Sequence, residues 1–160
     1  MLKSRLIDAM VNANVFFKCE NFQRMGAFKM RGAANAIMQL SDKEKQNGVV
    51  THSSGNFAQA LSLAAQNLGV KAYIVMPSSA PKVKKEAVKG YGGMVIECEP
   101  NLPAREKASQ EIIQKYGATF IHPSNDENVI IGNATACMEL LEEHPDLDIV
   151  ATPVAGGGLL

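Results

Sequence analysis

The chain seats an amine where an amine is costly. Lys29 stands between Phe28 and Met30 in "QRMGAFKMRGAAN" (23–35), with Gly26, Ala27, Gly32, Ala33 and Ala34 around it. The small residues let other atoms approach the backbone, and the two large apolar side chains exclude water. Desolvation penalises the ammonium and favours the free amine, the form that attacks a carbonyl carbon. A structural lysine would instead extend its charged end to solvent. A second stretch, "VAGGGLL" (154–160), holds three consecutive glycines whose bare N–H groups can converge on a phosphate. A helix starting there would add its dipole to that attraction. The spacing is neither GxGxxG nor GxxxxGK[ST], which argues against a dinucleotide or a Walker-type nucleotide. A third, "THSSGNFAQA" (51–60), crowds Ser53, Ser54 and Asn56 around Gly55. These groups suit a carboxylate or a ring oxygen; read alone, Ser54 or Asn56 equally suits the cap of a following helix. Apolar lysine, phosphate cradle and polar loop together describe a phosphorylated aldehyde held covalently by an amine, and pyridoxal 5'-phosphate is such an aldehyde.

Something must bring three distant stretches together. Strand-like and helix-like segments alternate along the chain. "NVFFKCE" (14–20), "GVVTHS", "AYIVMP", "MVIECE", "TFIHP" and "DIVATPV" read as strands. The spacing predicts helices over 28–40, after Asn56, and near 81–90, 103–116 and 128–143. In the first, Met30, Ala33, Ala34, Ile37 and Leu40 follow i, i+3, i+4, i+7. Short β-branched runs joined by helices predict an α/β fold with buried parallel sheet. "SSGN", "SSAP", "SND" and "AGGG" each follow a strand-like run, and in an open parallel sheet ligands gather at the carboxyl ends of strands. Turns need Gly, Ser and Asn for backbone reasons too, so no one loop decides the matter.

Composition narrows the function classes. The 160 residues suffice for one sizeable core. Sixteen basic residues balance sixteen acidic ones, so no net field attracts nucleic acid or an anionic membrane. The basic run Lys82, Lys84, Lys85 and Lys89, broken by Glu86, reads as a solvated helix face. No apolar run approaches the ~20 residues of a membrane span, and the opening residues are not those expected of a signal peptide. Cys19, Cys98 and Cys137 are an odd number without metal spacing, as expected of reduced thiols in a cytoplasmic protein. His52, His122 and His144 are too scattered for a metal motif, so no metal residue is assigned.

"FFKCENFQRMGAFKMRGAANAI", "VVTHSSGNFAQALSLAA" and "PVAGGGL" resemble the signatures of the fold-type-II pyridoxal-phosphate enzymes, in particular the serine racemase and serine/threonine dehydratase group. The resemblance runs over nearly the whole chain, in order. It implies a tryptophan synthase β-like fold in two domains, residues 48–125 forming the smaller and 1–47 with 126–160 a partial larger one. It makes Lys29 the covalent cofactor lysine, Phe28 a wall of the cofactor ring and Asn56 the partner of its phenolic oxygen. Gly156, Gly157 and Gly158, flanked by Ala155 and Leu159, would hold the phosphate. Ser53, Ser54, Gly55 and Asn56 would meet the substrate, with Ser54 the second catalytic residue on the face opposite Lys29. Gln59 and Tyr91 stand where animal racemases bind a regulatory nucleotide.

Departures from the family pattern are specific. Ala155 replaces a fourth glycine and Phe57 the usual His. Ser124 in "HPSND" stands in place of a cofactor-contacting Asn, and "GNAT" (132–135) replaces "GQGT". The family also implies a chain roughly twice as long. Its remainder would supply the pyridine-nitrogen partner and any divalent-metal (Mg) ligands. A homodimer acting on a small amino acid is the implied assembly. The activity expected is a pyridoxal-phosphate-dependent serine racemase that also eliminates ammonia. The alternatives are a dedicated threonine/serine or hydroxyaspartate ammonia-lyase, and a non-catalytic cofactor-binding protein or inert fragment.

Overall fold

The computed structural model of the chain describes residues 1–154 and 156–159. Four parallel strands form one sheet in the order β3-β2-β1-β4. These are β1 (Val49–His52), β2 (Ala72–Pro77), β3 (Met94–Cys98) and β4 (Thr119–Phe120). Central β2 is buried along its whole length, as the unbroken apolar run "AYIVMP" requires of a strand covered on both faces.

Alternation along the strands feeds two cores. Val49, Ile74 and Met76 point to one side, where they meet Met30, Ile37 and Leu61. These last come from α2 (Lys29–Met38) and α4 (Asn56–Asn67). Val50, Tyr73 and Val75 point to the other and pack on Ile112 and Ile113 of α6 (Leu102–Tyr116). The sheet is therefore the middle of three layers. α5 (Lys82–Gly90) flanks α4 and β3; Lys82, Lys84 and Lys89 lie outward, Lys82 pairing with Glu86 at 3.6 Å, while the partly buried Lys85 pairs with Glu97 at 2.9 Å.

Because the strands are parallel, their carboxyl ends share one edge. The loops 53–55, 78–81 and 121–126 all emerge there. The helix that carries Lys29 reaches the same edge by lying across α7 (Glu127–Glu143) at two glycines. A Cβ at Gly32 would stand 2.6 Å from the Val129 carbonyl oxygen, and one at Gly132 would stand 2.7 Å from Gly32 Cα. Backbone touches backbone at this crossing, which only glycine permits.

Two expected strands are absent, and the reason is a lack of partners. In 14–20 the one β contact is an antiparallel bridge between Phe17 and Leu2. The Val15 N–H is taken by Asp8 Oδ1 at 2.8 Å, and Glu20–Phe22 closes into a 3-10 turn. "DIVATPV" pairs with none of the described strands, and Ile149 is 81% exposed there. Residue type favours a strand, but a strand needs a neighbour to receive its hydrogen bonds. Two short helices were unexpected, α1 (Arg5–Val11) and α3 (Asp42–Asn47). The second carried a readable signal: Ser41 and Glu44 form a reciprocal capping box. Among the described residues, no helix is long and apolar enough to cross a membrane.

Candidate active site

Lys29 is the first residue of α2, so its amine projects from the helix start toward the loop edge of the sheet. The Nζ donates to the Pro123 carbonyl oxygen at 2.7 Å. It lies 4.9 Å from the centroid of the Phe28 ring and 5.9 Å from that of Phe57. Partial burial among these groups pushes its pKa below the ordinary 10.5. Phe57, where the family pattern has His, thus adds an apolar wall beside the amine.

The glycine loop meets this amine directly. A Cβ at Gly158 would stand 3.4 Å from Lys29 Nζ and 3.3 Å from Ser124 Cβ. Gly157 has φ +77°, in the left-handed region, and a Cβ there would meet nothing within 4 Å. Gly156 faces Ser124, 3.4 Å from its Oγ to a Cβ position. Ala155, also assigned to this cradle, lies outside the described residues; Leu159 follows the loop, half-buried.

One side chain ties the loop to the lysine helix. Asn133, fully buried on α7, donates from Nδ2 to the Gly158 carbonyl at 2.6 Å and accepts the Gly32 N–H on Oδ1 at 3.0 Å. It belongs to the "GNAT" departure, to which sequence reasoning assigned no role. A polar residue on a helix face that must be buried was the available signal.

The polar loop lies between β1 and α4. The N-cap of α4 is Gly55, with no side-chain cap hydrogen bond. Neither Ser54 nor Asn56 is therefore spent as the cap, the plain alternative for both. Ser53 Oγ accepts the Gly55 N–H at 3.4 Å and turns the loop. Phe57, the residue after Asn56, carries this helix start to the Lys29 amine. No contact joins Ser54 or Asn56 to Lys29 itself among the described hydrogen bonds.

Behind the site, Arg31 grips two carboxylates. It donates to Glu20 from Nε at 2.7 Å and Nη2 at 2.9 Å, to Glu139 from Nη1 and Nη2 at 2.7 Å each, and to Thr135 Oγ1 at 3.0 Å. Lys18 Nζ adds a 2.6 Å bond to Glu139. Arg31 and then Lys18 hold the Glu139 carboxyl down to about 2, and the carboxylates raise the Arg31 guanidinium pKa in turn. The planar fork fits two carboxylates at once, as a lysine would not. Next to this network opens a cavity of about 590 Å³ lined by Phe28, Ala136, Leu140, Val150 and Leu159. Phe28 and Leu159 border both this cavity and the Lys29 site, while Lys29 itself is not among its lining residues.

The residues fit a phosphorylated aldehyde. A nucleophilic amine on apolar walls abuts bare glycine backbone, and a side chain at Gly158 would occupy the space against that amine. The chain belongs to the pyridoxal-phosphate dependent enzyme family, whose pattern matches residues 1–160, and the parallel sheet, edge loops and this pairing agree with that class. A rice serine racemase is 48% identical over the whole chain, which covers 47% of that protein. A β-hydroxyaspartate dehydratase of Paracoccus denitrificans is 46% identical over 98% of the chain and 50% of its own length. The crystal structure of Dictyostelium discoideum serine racemase superposes with a TM-score of 0.96 at 47% identity, over 99% of this chain and 52% of that one. The chain spans about half the length of the relatives it matches.

Proposed function

We propose that this chain acts in a serine racemase that also eliminates ammonia from serine or threonine, with Lys29 as the residue that binds pyridoxal 5'-phosphate covalently. The observation that carries the reading is the Lys29 amine, desolvated by two aromatic rings and set against Gly158. The bound cofactor would supply a conjugated, electron-withdrawing ring that weakens the α-C–H bond of an attached amino acid. Gly156, Gly157 and Gly158 would hold its phosphate through backbone amides, Phe28 would bound its ring, and Asn56 would supply an amide to its ring oxygen.

Lys29, once displaced by the substrate amine, is the base for one face and takes the α-proton on Nζ. Ser54 sits on the polar loop before α4, where the helix dipole favours its anionic form. It would deliver or remove a proton on the opposite face. Ser53, Gly55 and the first amides of α4, which no side-chain cap consumes, would receive the substrate carboxylate. The partition into a 48–125 domain and a 1–47 plus 126–160 domain belongs to this proposal. It is supported by the sheet lying within 49–120 and by the crossing of α2 on α7. A homodimer, a nucleotide at Gln59 and Tyr91, and a divalent metal are proposed on the resemblance alone.

Borohydride reduction of the full-length protein with its cofactor, followed by peptide mapping, tests the lysine. A phosphopyridoxyl adduct is expected on Lys29; an adduct on any other lysine overturns the assignment. The identity with a dehydratase favours a second reading, a dedicated ammonia-lyase. Ser54→Ala separates the two, because racemisation needs an acid on the second face and elimination does not. Interconversion of L- and D-serine should vanish while pyruvate release from L-serine persists. Equal retention of both would remove Ser54 from the mechanism, and a parent that releases pyruvate without racemising would move the assignment to the ammonia-lyase.

A further inference from the structure

His122 follows β4 and stands at the entrance to the loop that touches both the Lys29 amine and the glycine turn. Its Nδ1 accepts two backbone N–H groups, from Ser124 at 3.2 Å and Asn125 at 2.8 Å. An N–H can only donate, so Nδ1 carries a lone pair and the ring proton is on Nε2. The two bonds bend the chain so that the intervening Pro123 carbonyl points at Lys29 Nζ, 2.7 Å away. They also set Ser124 against Gly156 and Gly158.

We propose that His122 is a positioning residue: as the neutral Nε2–H imidazole it folds the 123–125 turn that holds the Lys29 amine and backs the glycine loop. This rests on the proposed role of Lys29 and adds a pH-sensitive support to it. A proton on Nδ1 would face the Ser124 and Asn125 amides, and both bonds would be lost.

The surroundings favour the neutral form. His52 of β1 meets the ring edge-on with centroids 5.9 Å apart, and Phe120 of β4 lies at 6.3 Å. The Lys29 ammonium on α2 opposes protonation as well; among the described residues Asp126, the N-cap of α7, is the facing group that favours it. Burial, then His52, lowers the His122 pKa, with Asp126 pulling the other way. The sign follows: the turn is intact above the ordinary histidine range and is lost as pH falls through the depressed pKa.

The full-length protein with pyridoxal 5'-phosphate is compared with His122→Asn and His122→Phe. Asparagine keeps an acceptor for the amides two and three residues on and does not titrate; phenylalanine keeps the ring and offers none. Nitrogen-15 NMR of the histidines should show His122 protonated on Nε2 at neutral pH, with or without cofactor. The cofactor's visible absorbance band should fade in the same acid step that protonates His122, and His122→Asn should remove that step. His122→Phe should weaken cofactor retention about tenfold above that step and match the parent below it, with far-UV dichroism unchanged. A proton on Nδ1 at neutral pH, or retention by His122→Phe equal to the parent above that step, overturns the proposal. An adduct mapped away from Lys29 would sink the lysine assignment but leave the NMR result standing, so the two failures are distinguishable.

Discussion

Lys29 is unusual less for its hydrogen bond than for the rings that surround it. Its pKa lies below 10.5 because burial among Phe28, Phe57 and the 123–125 turn removes water from the ammonium. A lowered lysine pKa means that the unfolded chain binds the proton more tightly, so stability rises with pH toward 10.5. The parent should therefore gain stability over Lys29→Met as pH is raised through the alkaline range, measured by urea unfolding. A flat difference between the two would mean that the amine is fully hydrated. Gly157 gives a second residue-level test. Its φ of +77° is strained for any β-branched residue, and its bare backbone is the one proposed to meet the phosphate. Gly157→Val should sharply weaken cofactor retention, measured by dialysis and absorbance, whereas a loop with another role would retain cofactor as the parent does.

At the scale of elements, the site depends on how closely α2 lies on α7. A methyl at Gly132 would meet the Arg31 carbonyl oxygen at 2.7 Å, so the helices must part. Gly132→Ala is expected to cost about 1–3 kcal/mol in urea unfolding and to loosen the cofactor, because Lys29 begins the displaced helix. Asn133→Leu tests the tie between this helix and the glycine loop. Removing both bonds leaves the Gly158 carbonyl and the Gly32 N–H without that partner, at a cost of about 1–3 kcal/mol. Cofactor affinity should fall with it, while a change in stability alone would make Asn133 a packing residue only.

For the whole molecule, Arg31, Glu20, Glu139 and Lys18 fasten the segment before α2 to α2 and α7. Glu139 is held to about 2, below the ordinary 4.5, so its contribution is present above that value and is lost as pH falls toward 2. Glu139→Gln should flatten the acid limb of a plot of Tm against pH. The effect should be small, since the carboxylate is 41% exposed and solvent screens it. An unchanged acid limb would assign the acid sensitivity to other carboxylates.

Residue order alone determined the α/β class, the helices read over 28–40 and near 81–90, 103–116 and 128–143, which the structure places at 29–38, 82–90, 102–116 and 127–143, and the motif that singled out Lys29. These are local properties: apolar periodicity and an amine among apolar neighbours are written in adjacent positions. Only the tertiary structure decided that "NVFFKCE" and "DIVATPV" are not strands of the sheet, because strand formation depends on a partner elsewhere. It likewise decided the roles of Pro123, His122 and Asn133, whose hydrogen bonds reach the Lys29 amine, the 123–125 turn and the glycine loop. A polar side chain in a sequence does not name its partner. Lys29 and Pro123 are 94 positions apart in the chain, and only the parallel sheet and the α2–α7 crossing bring them within a hydrogen bond of each other.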